Sequence, residues 1–247
     1  MIIMLSPAKN MKNIEVFDRD LSLPCFIDNT KEIVENIKTF GIEDFKNKMK
    51  INEKLAVLNK NRFESIKFDR LGNPAILTYD GIQYKNIEAE NFTRKDEEFA
   101  NSCIRIISGL YGVVKPYDSI YEYRLEMQTK LQVGEFKNLY EYWGNRIYKE
   151  LIKEKTAIVN LSSNEYSKSI EKFIKDSDTY ITCTFKVNKN GILKVESTQA
   201  KKARGMMTKY IVKNRIRDIE ELKKFDLEGY KYKENLSNNS EYIFVKE

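Results

Sequence analysis

Histidine is absent from this chain of 247 residues. Its absence excludes Ser-His-Asp and Cys-His nucleophilic catalysis, the zincin motif, imidazole pH switching and the commonest metal ligand. Any chemistry has to run on carboxylates, Lys, Tyr, Ser or Cys. Cysteine is scarce. Cys25, Cys103 and Cys183 are odd in number, far apart and form no Cys-x-x-Cys pair, which predicts reduced thiols acting as small buried hydrophobes in a cytoplasmic protein. With no histidine, no paired thiols and no repeated carboxylates of the kind that facing helices use to hold metal, neither a metal site nor a cofactor is expected. Long apolar runs are missing as well. The opening Met1-Ile2-Ile3-Met4-Leu5-Ser6-Pro7 is too short for a signal segment or a membrane span and has no basic stretch before it, so no targeting or membrane contact is expected.

What is present suits a packed core. Hydrophobic residues make up 41% and aromatic residues 12% of the chain, enough apolar side chain to argue against disorder. No internal repeat, low-complexity segment or linker rich in Pro or Gly interrupts it, so residues 1–247 read as one domain. Lys and Arg total 43 against 37 Asp and Glu, a net charge of +6, which permits an anionic partner without demanding one.

Ile2 to Leu5 and Ala157 to Leu161 are continuous apolar runs, each followed by serine, the pattern of strands buried on both faces. Helices are predicted from Asp28, as an Asx cap, to Gly41, from an Asn52 cap onward, and from a Thr93 cap through Phe99, Cys103, Ile106 and Ile107 to Gly109. Pro74 precedes Ala75–Tyr79, read as a strand turned by Asp80-Gly81. Leu139 to Ile152 reads as an aromatic-rich helix, Tyr180–Val187 with Ile192–Ser197 as a hairpin, Gln199–Arg215 as a helix, and Tyr230–Val245 as a terminal hairpin. Interleaved strands and helices place the fold in the α/β class, or mixed α+β, with a central mixed sheet flanked by helices.

Three groups of residues are candidates for function. In Ser108-Gly109-Leu110-Tyr111-Gly112-Val113-Val114-Lys115-Pro116, glycines bracket an apolar pair after a predicted helix. Outward N–H groups in such a turn can hold a phosphate, and the pattern resembles a helix-hairpin-helix with one extra residue, Tyr111; an ordinary helix C-cap is the competing reading. Between Gln199 and Arg217 lie seven basic residues and no acid. Lys202, Lys209 and Lys213 share one helical face, whereas Lys201 and Arg204 border the apolar stripe and suit a cleft. The basic face reads either as a phosphate contact or as a solvated surface. The third group is polar residues around buried strands: Ser6 and Lys9, Arg124 and Glu126, and Asn160, Glu165 and Lys168. α/β proteins place ligands beyond the carboxyl ends of such strands, although neither loop carries a P-loop or dinucleotide fingerprint.

These stretches resemble the YaaA family. The likeness is carried by Leu5-Ser6-Pro7-Ala8-Lys9, Ser108-Gly109-Leu110-Tyr111-Gly112-Val113 with Pro116 and Asp118, Tyr123-Arg124-Leu125-Glu126-Met127, Asn160-Leu161 with Ser163, Glu165, Tyr166 and Lys168, and Lys201-Lys202-Ala203-Arg204-Gly205 with Met207, in order and at matching spacing. The loop at Asp80-Gly81 departs from the family pattern. The resemblance implies a cytosolic protein of the peroxide stress response that limits free iron and the damage it drives, and that binds double-stranded DNA without sequence preference. From the resemblance the hairpin role falls to Gly109, Leu110, Tyr111 and Gly112 only; Lys115, Lys201, Lys202, Arg204, Lys209 and Lys213 are added as basic DNA contacts from the charge pattern itself. No catalytic motif is evident. The alternative is an enzyme acting on a nucleotide or nucleic acid through a cleft lined by Lys, Arg and Glu, for which the side chains must converge rather than form an outward basic face.

Overall fold

Four consecutive apolar residues without alternation belong in a strand covered on both faces. In the computed structural model, which describes residues 1–14, 20–154 and 156–247, β1 (Ile2–Leu5) is such a strand and all four residues are buried. It pairs in parallel with β5 (Ile104–Ser108) on one side, Leu5 opposite Ile106, and with β8 (Ile158–Leu161) on the other, Leu5 opposite Leu161. The parallel run continues through β9 (Tyr180–Lys189) to β12 (Glu241–Lys246). Antiparallel strands complete it: β6 (Gly112–Val114) on β5, β11 (Tyr230–Tyr232) on β12 and β10 (Ile192–Lys194) on β9. The result is a mixed eight-stranded sheet in the order β11-β12-β9-β8-β1-β5-β6, with β10 branching from β9. The chain is therefore α/β with a central mixed sheet flanked by helices. Two short antiparallel pairs lie apart from it, β2 (Asn10–Met11) with β4 (Tyr79–Asp80) and β3 (Asn73–Pro74) with β7 (Ser119–Ile120).

The helices in chain order are α1 (Ile27–Lys38), α2 (Ile42–Met49), α3 (Glu53–Ser65), α4 (Ala75–Thr78), α5 (Ile82–Ile87), α6 (Arg94–Cys103), α7 (Leu139–Trp143), α8 (Arg146–Leu151), α9 (Asn164–Glu171) and α10 (Ser197–Lys213). Two starts follow their caps. Asn52 Oδ1 accepts from Leu55 N at 3.0 Å, and Thr93 and Asp96 form a reciprocal capping box on α6. The start of α1 differs: Phe26 is the N-cap without a side-chain bond, and Asp28 sits in the first turn.

Four sequence expectations are corrected. Ala75–Thr78 is a helical turn, closed by Thr78 Oγ1 donating to Pro74 O at 2.8 Å, and only Tyr79–Asp80 is strand; a short buried apolar run carries no period with which to tell the two apart. The helix begun at Thr93 stops at Cys103, and Ile104–Ser108 is a strand buried at all five positions, because β-branched residues there fill the slot beside β1. Consequently the glycine motif is a β-hairpin and not a helix-hairpin-helix: Ser108 pairs with Gly112 and Ile107 with Val113. The helix predicted over Leu139 to Ile152 is broken at Gly144, whose φ of +50° ends α7 before α8 begins.

One close approach sets the position of α10. Gly205 is buried, and a Cβ there would stand 2.2 Å from Gln83 O and 2.8 Å from Asn86 Cβ on α5. Gly205→Ala is expected to push the two helices apart at a cost of roughly 1–3 kcal/mol, the usual range for overpacking. At about 2–4 °C per kcal/mol for a chain of this size, a thermal melt reads that as a lower midpoint; an unchanged midpoint would show that the helices do not meet this closely.

Candidate functional site

β1 and β8 end side by side, and the chain leaves both through serines. Ser6 Oγ accepts from Ser163 N at 2.8 Å and lies 3.3 Å from Ser163 Oγ. Beneath them, Asn160 Oδ1 accepts from Ser162 N at 2.9 Å and Ser162 Oγ at 2.7 Å. The crossover from β1 leads to β5 on one side, while β8 joins from the other, so the gap beyond Leu5 and Leu161 is a switch point of the kind where open α/β sheets hold ligands. α5 closes its far wall. Tyr84 Oη donates to Ser6 O at 2.8 Å, and Gln83 Nε2 donates to Leu161 O at 3.2 Å.

The gap is a cavity of about 310 Å³, bounded by Ser6 to Asn10, by Asp80 to Tyr84, by Ser163, Glu165 and Tyr166, and by Lys201 and Arg204 of α10. Pro7, Ala8 and Ile82 supply an apolar wall. Opposite them stand two cations without an internal counter-ion: among the described residues neither Lys201 nor Arg204 makes an ion pair, and Arg204 Nε is out of solvent with no acceptor. Desolvation pulls the Arg204 guanidinium below its usual value. Glu165 is pushed the other way. Burial raises its carboxyl above the usual range, and the neighbouring Glu126 adds to this, while hydrogen bonds from the Gln128 and Met127 backbone and the charge of Lys9 oppose it.

The remaining cations of α10 are already matched. Lys202 reaches Glu228 at 2.5 Å, Lys209 reaches Glu88 at 2.7 Å, and Lys213 and Arg215 converge on buried Asp96 at 2.9 and 3.3 Å. These contacts hold the carboxyls of Glu88 and Glu228 below their ordinary values, chiefly through the lysine hydrogen bonds. The face bearing Lys202, Lys209 and Lys213 is therefore a set of internal ion pairs between α10 and the rest of the chain.

The structure gathers Ser6, Lys9, Glu165, Lys201 and Arg204 in the cleft. Arg124 and Glu126 line an adjoining cavity, with Lys9 Nζ 2.8 Å from Glu126 Oε2 and Arg124 Nη2 3.3 Å from Glu126 Oε1. Asn160 works inside the turn below, and Lys168 is exposed on α9 away from both. Gly109, Leu110, Tyr111 and Gly112 are buried. Their polar groups turn inward: Leu110 N and Tyr111 N donate to Ser108 Oγ at 3.1 and 3.0 Å, and Trp143 Nε1 donates to Gly109 O at 3.0 Å. Gly112, at φ +68°, has Trp143 and Phe26 packed where a Cβ would sit. No outward nest of N–H groups forms there. Lys115 is exposed just beyond it, its N–H donating to Asp118 Oδ2 at 2.8 Å. Sequence reasoning missed Asp80, Ile82 and Gln83 as parts of the site. The Asp80-Gly81 pair signals a turn in the sequence, but by itself it marks only the end of a strand. Among the described residues no three His, Cys, Asp or Glu side chains are grouped to hold a metal ion, and no helix is long and apolar enough to cross a membrane.

A family model described as "Peroxide stress protein YaaA" matches residues 1–236. Among individual proteins, the chain is 99% identical over 247 residues to a UPF0246 protein of Clostridioides difficile strain 630, covering all of both chains. It is 40% identical over 247 residues to a UPF0246 protein of Ligilactobacillus salivarius, again covering both completely. A UPF0246 protein of Clostridium perfringens is 41% identical over 255 residues, with full coverage on both sides.

Asp96 anchors the end of α10, and its carboxyl is held down at about 2 by hydrogen bonds from Lys213 and Thr93, outweighing the opposing effect of desolvation. Because the folded value lies below that of the unfolded chain, its stabilising contribution is complete above about pH 4 and is lost as pH falls toward 2. Asp96→Asn is expected to lower the melting midpoint by several degrees at pH 7, with the gap to the unaltered chain narrowing between pH 4 and pH 2. A gap independent of pH would show that the ion pairs do not carry the effect.

Proposed function

The chain belongs to the peroxide stress protein YaaA family, and from that membership and its cleft we propose that it acts on a nucleotide, taking the phosphate against Arg204 and Lys201. The observation that carries this reading is the uncompensated cation pair: a buried guanidinium nitrogen without an acceptor is costly unless an anion completes it, and a guanidinium fork matches phosphate oxygens. The apolar wall of Pro7, Ala8 and Ile82 suits a base. The cavity, about 310 Å³, lies at the lower end of the roughly 300–1,000 Å³ of small-molecule sites. Glu165, with its raised carboxyl, is the acid–base group of the proposed activity.

Duplex DNA held without sequence preference is the second reading, favoured by the net charge of +6 and by exposed Lys115 and Lys201. It differs from the first in its salt dependence, since each phosphate contact to duplex DNA adds roughly 0.9 to the slope of log affinity against log salt.

Calorimetric titration with AMP separates the readings. Arg204→Gln is expected to weaken AMP at least tenfold, while Lys115→Gln, outside the cleft, leaves it unchanged. Absence of AMP binding, with a labelled duplex binding steeply with salt and losing affinity in Lys115→Gln, would replace the first reading with the second. Glu165 adds a sign. Its carboxylate repels the ligand only when ionised, so Glu165→Gln should match the unaltered chain near pH 4 and bind AMP more tightly than it at pH 7. A ratio constant across that range would remove Glu165 from the site.

A further inference from the structure

A second cavity of about 220 Å³ shares Lys9 with the cleft and is lined by Lys48, Lys50, Arg124 and Lys130, with Glu126 as its one carboxylate. Glu126 is already engaged by Lys9 at 2.8 Å and Arg124 at 3.3 Å. Among the described residues Lys48, Lys50 and Lys130 make no ion pair, and Arg124 Nε is buried without an acceptor. Lys46, in the same helix as Lys48, sits 2.7 Å from Glu43. Around this cavity, by contrast, segments far apart in sequence bring like charges together and supply one shared acid. Mutual repulsion of that kind is relieved by an oxyanion placed among them.

The wall between the two cavities is built of Lys9, Glu126, Glu165 and Gln128, with Gln128 N donating to Glu165 Oε1 at 3.3 Å. Glu126 and the side-chain oxygen of Gln128 in that wall are acceptors for hydroxyl groups, and the cations lie beyond it on both sides. We infer that the second cavity is a phosphate subsite, and that the ligand is a nucleotide phosphorylated on both sides of its sugar, with one phosphate at Arg204 and Lys201, the sugar hydroxyl against the carboxylate wall, and the other phosphate among Arg124, Lys48, Lys50 and Lys130. The inference rests on the reading of the cleft given above.

The test compares AMP with adenosine 3′,5′-bisphosphate by calorimetry on the full chain and on the triple variant Lys48→Gln, Lys50→Gln, Lys130→Gln, whose altered side chains lie at the surface. The bisphosphate is expected to bind the unaltered chain at least tenfold more tightly than AMP. The triple variant should lose that gain and keep its AMP affinity within about twofold. AMP binding with no gain for the bisphosphate, or a gain that survives in the triple variant, overturns the second subsite and leaves the cleft standing. Inorganic phosphate filling the second cavity as tightly as the bisphosphate does, with AMP already bound, overturns the linkage to one ligand. Failure of both nucleotides to bind overturns the reading of the cleft and this inference with it.

Discussion

The double-sided parallel pairing of β1 is the constraint on which the rest of the site depends. A strand flanked by β5 and β8 has no free backbone edge, and its residues are apolar because both faces are covered. Its register with β8 ends both strands at the same level, so the two chains must leave the sheet together, and they do so through Ser6 and Ser163, which bond one another. α5 then locks onto both strand ends through Tyr84 and Gln83. Against α5 lies α10, brought to backbone contact by Gly205. Arg204 and Lys201 reach the cleft because each of these steps fixes the next.

Charge placement follows a second logic. Along α10 the cations that face other elements each meet a carboxylate, from Glu228, Glu88 or Asp96, and these pairs offset part of the cost of bringing a basic helix against the body of the protein. On the same helix Lys201 and Arg204 line the cleft beyond the ends of β1 and β8 and, among the described residues, make no ion pair. Arg204 differs from the many solvated lysines of the surface because its Nε is out of water and has no acceptor, which is the costly condition.

Membership of a peroxide stress family invites the idea of a thiol that reacts with peroxide, and the thiols here are poorly placed for it. Cys103 and Cys183 are buried, and burial pushes both up to about 12. Cys25, contrary to the sequence expectation of a buried thiol, is exposed as a residue, and desolvation of its sulfur with the carboxylates of Glu150 and Asp118 raises it to about 12. At neutral pH all three are thiols, and the thiolate is the reactive form. A buried chain of hydroxyls, from Tyr79 to Tyr123 at 2.8 Å and on to Ser108 at 2.6 Å, binds the β5–β6 hairpin to the elements behind it, satisfying polar groups that would otherwise be stranded in the core.

Some of this was legible in the sequence alone. The runs Ile2–Leu5 and Ile158–Leu161 declared central strands because only a strand covered on both faces lacks alternation, and Asn52 and Thr93 declared helix starts because their side chains cap locally. The absence of histidine narrowed the chemistry before any fold was known. Ile104–Ser108 was not legible, because Phe99, Cys103, Ile106 and Ile107 continue a helical spacing across the boundary and only the open slot beside β1 makes the segment extended. The glycine motif is ambiguous for the same reason: its local pattern fits several turns, and its polar groups face inward because Ser108 Oγ accepts the N–H groups of Leu110 and Tyr111 and the Trp143 indole donates to the Gly109 carbonyl. The basic helix was legible as a helix and as basic, but which of its charges are free is decided by acids 121 and 117 residues away for Lys209 and Lys213 and by Glu228 for Lys202. Periodicity and capping are properties of neighbours along the chain, whereas an unmatched charge is defined by everything that folds against it, so the cleft's cations could be assigned only from the tertiary structure.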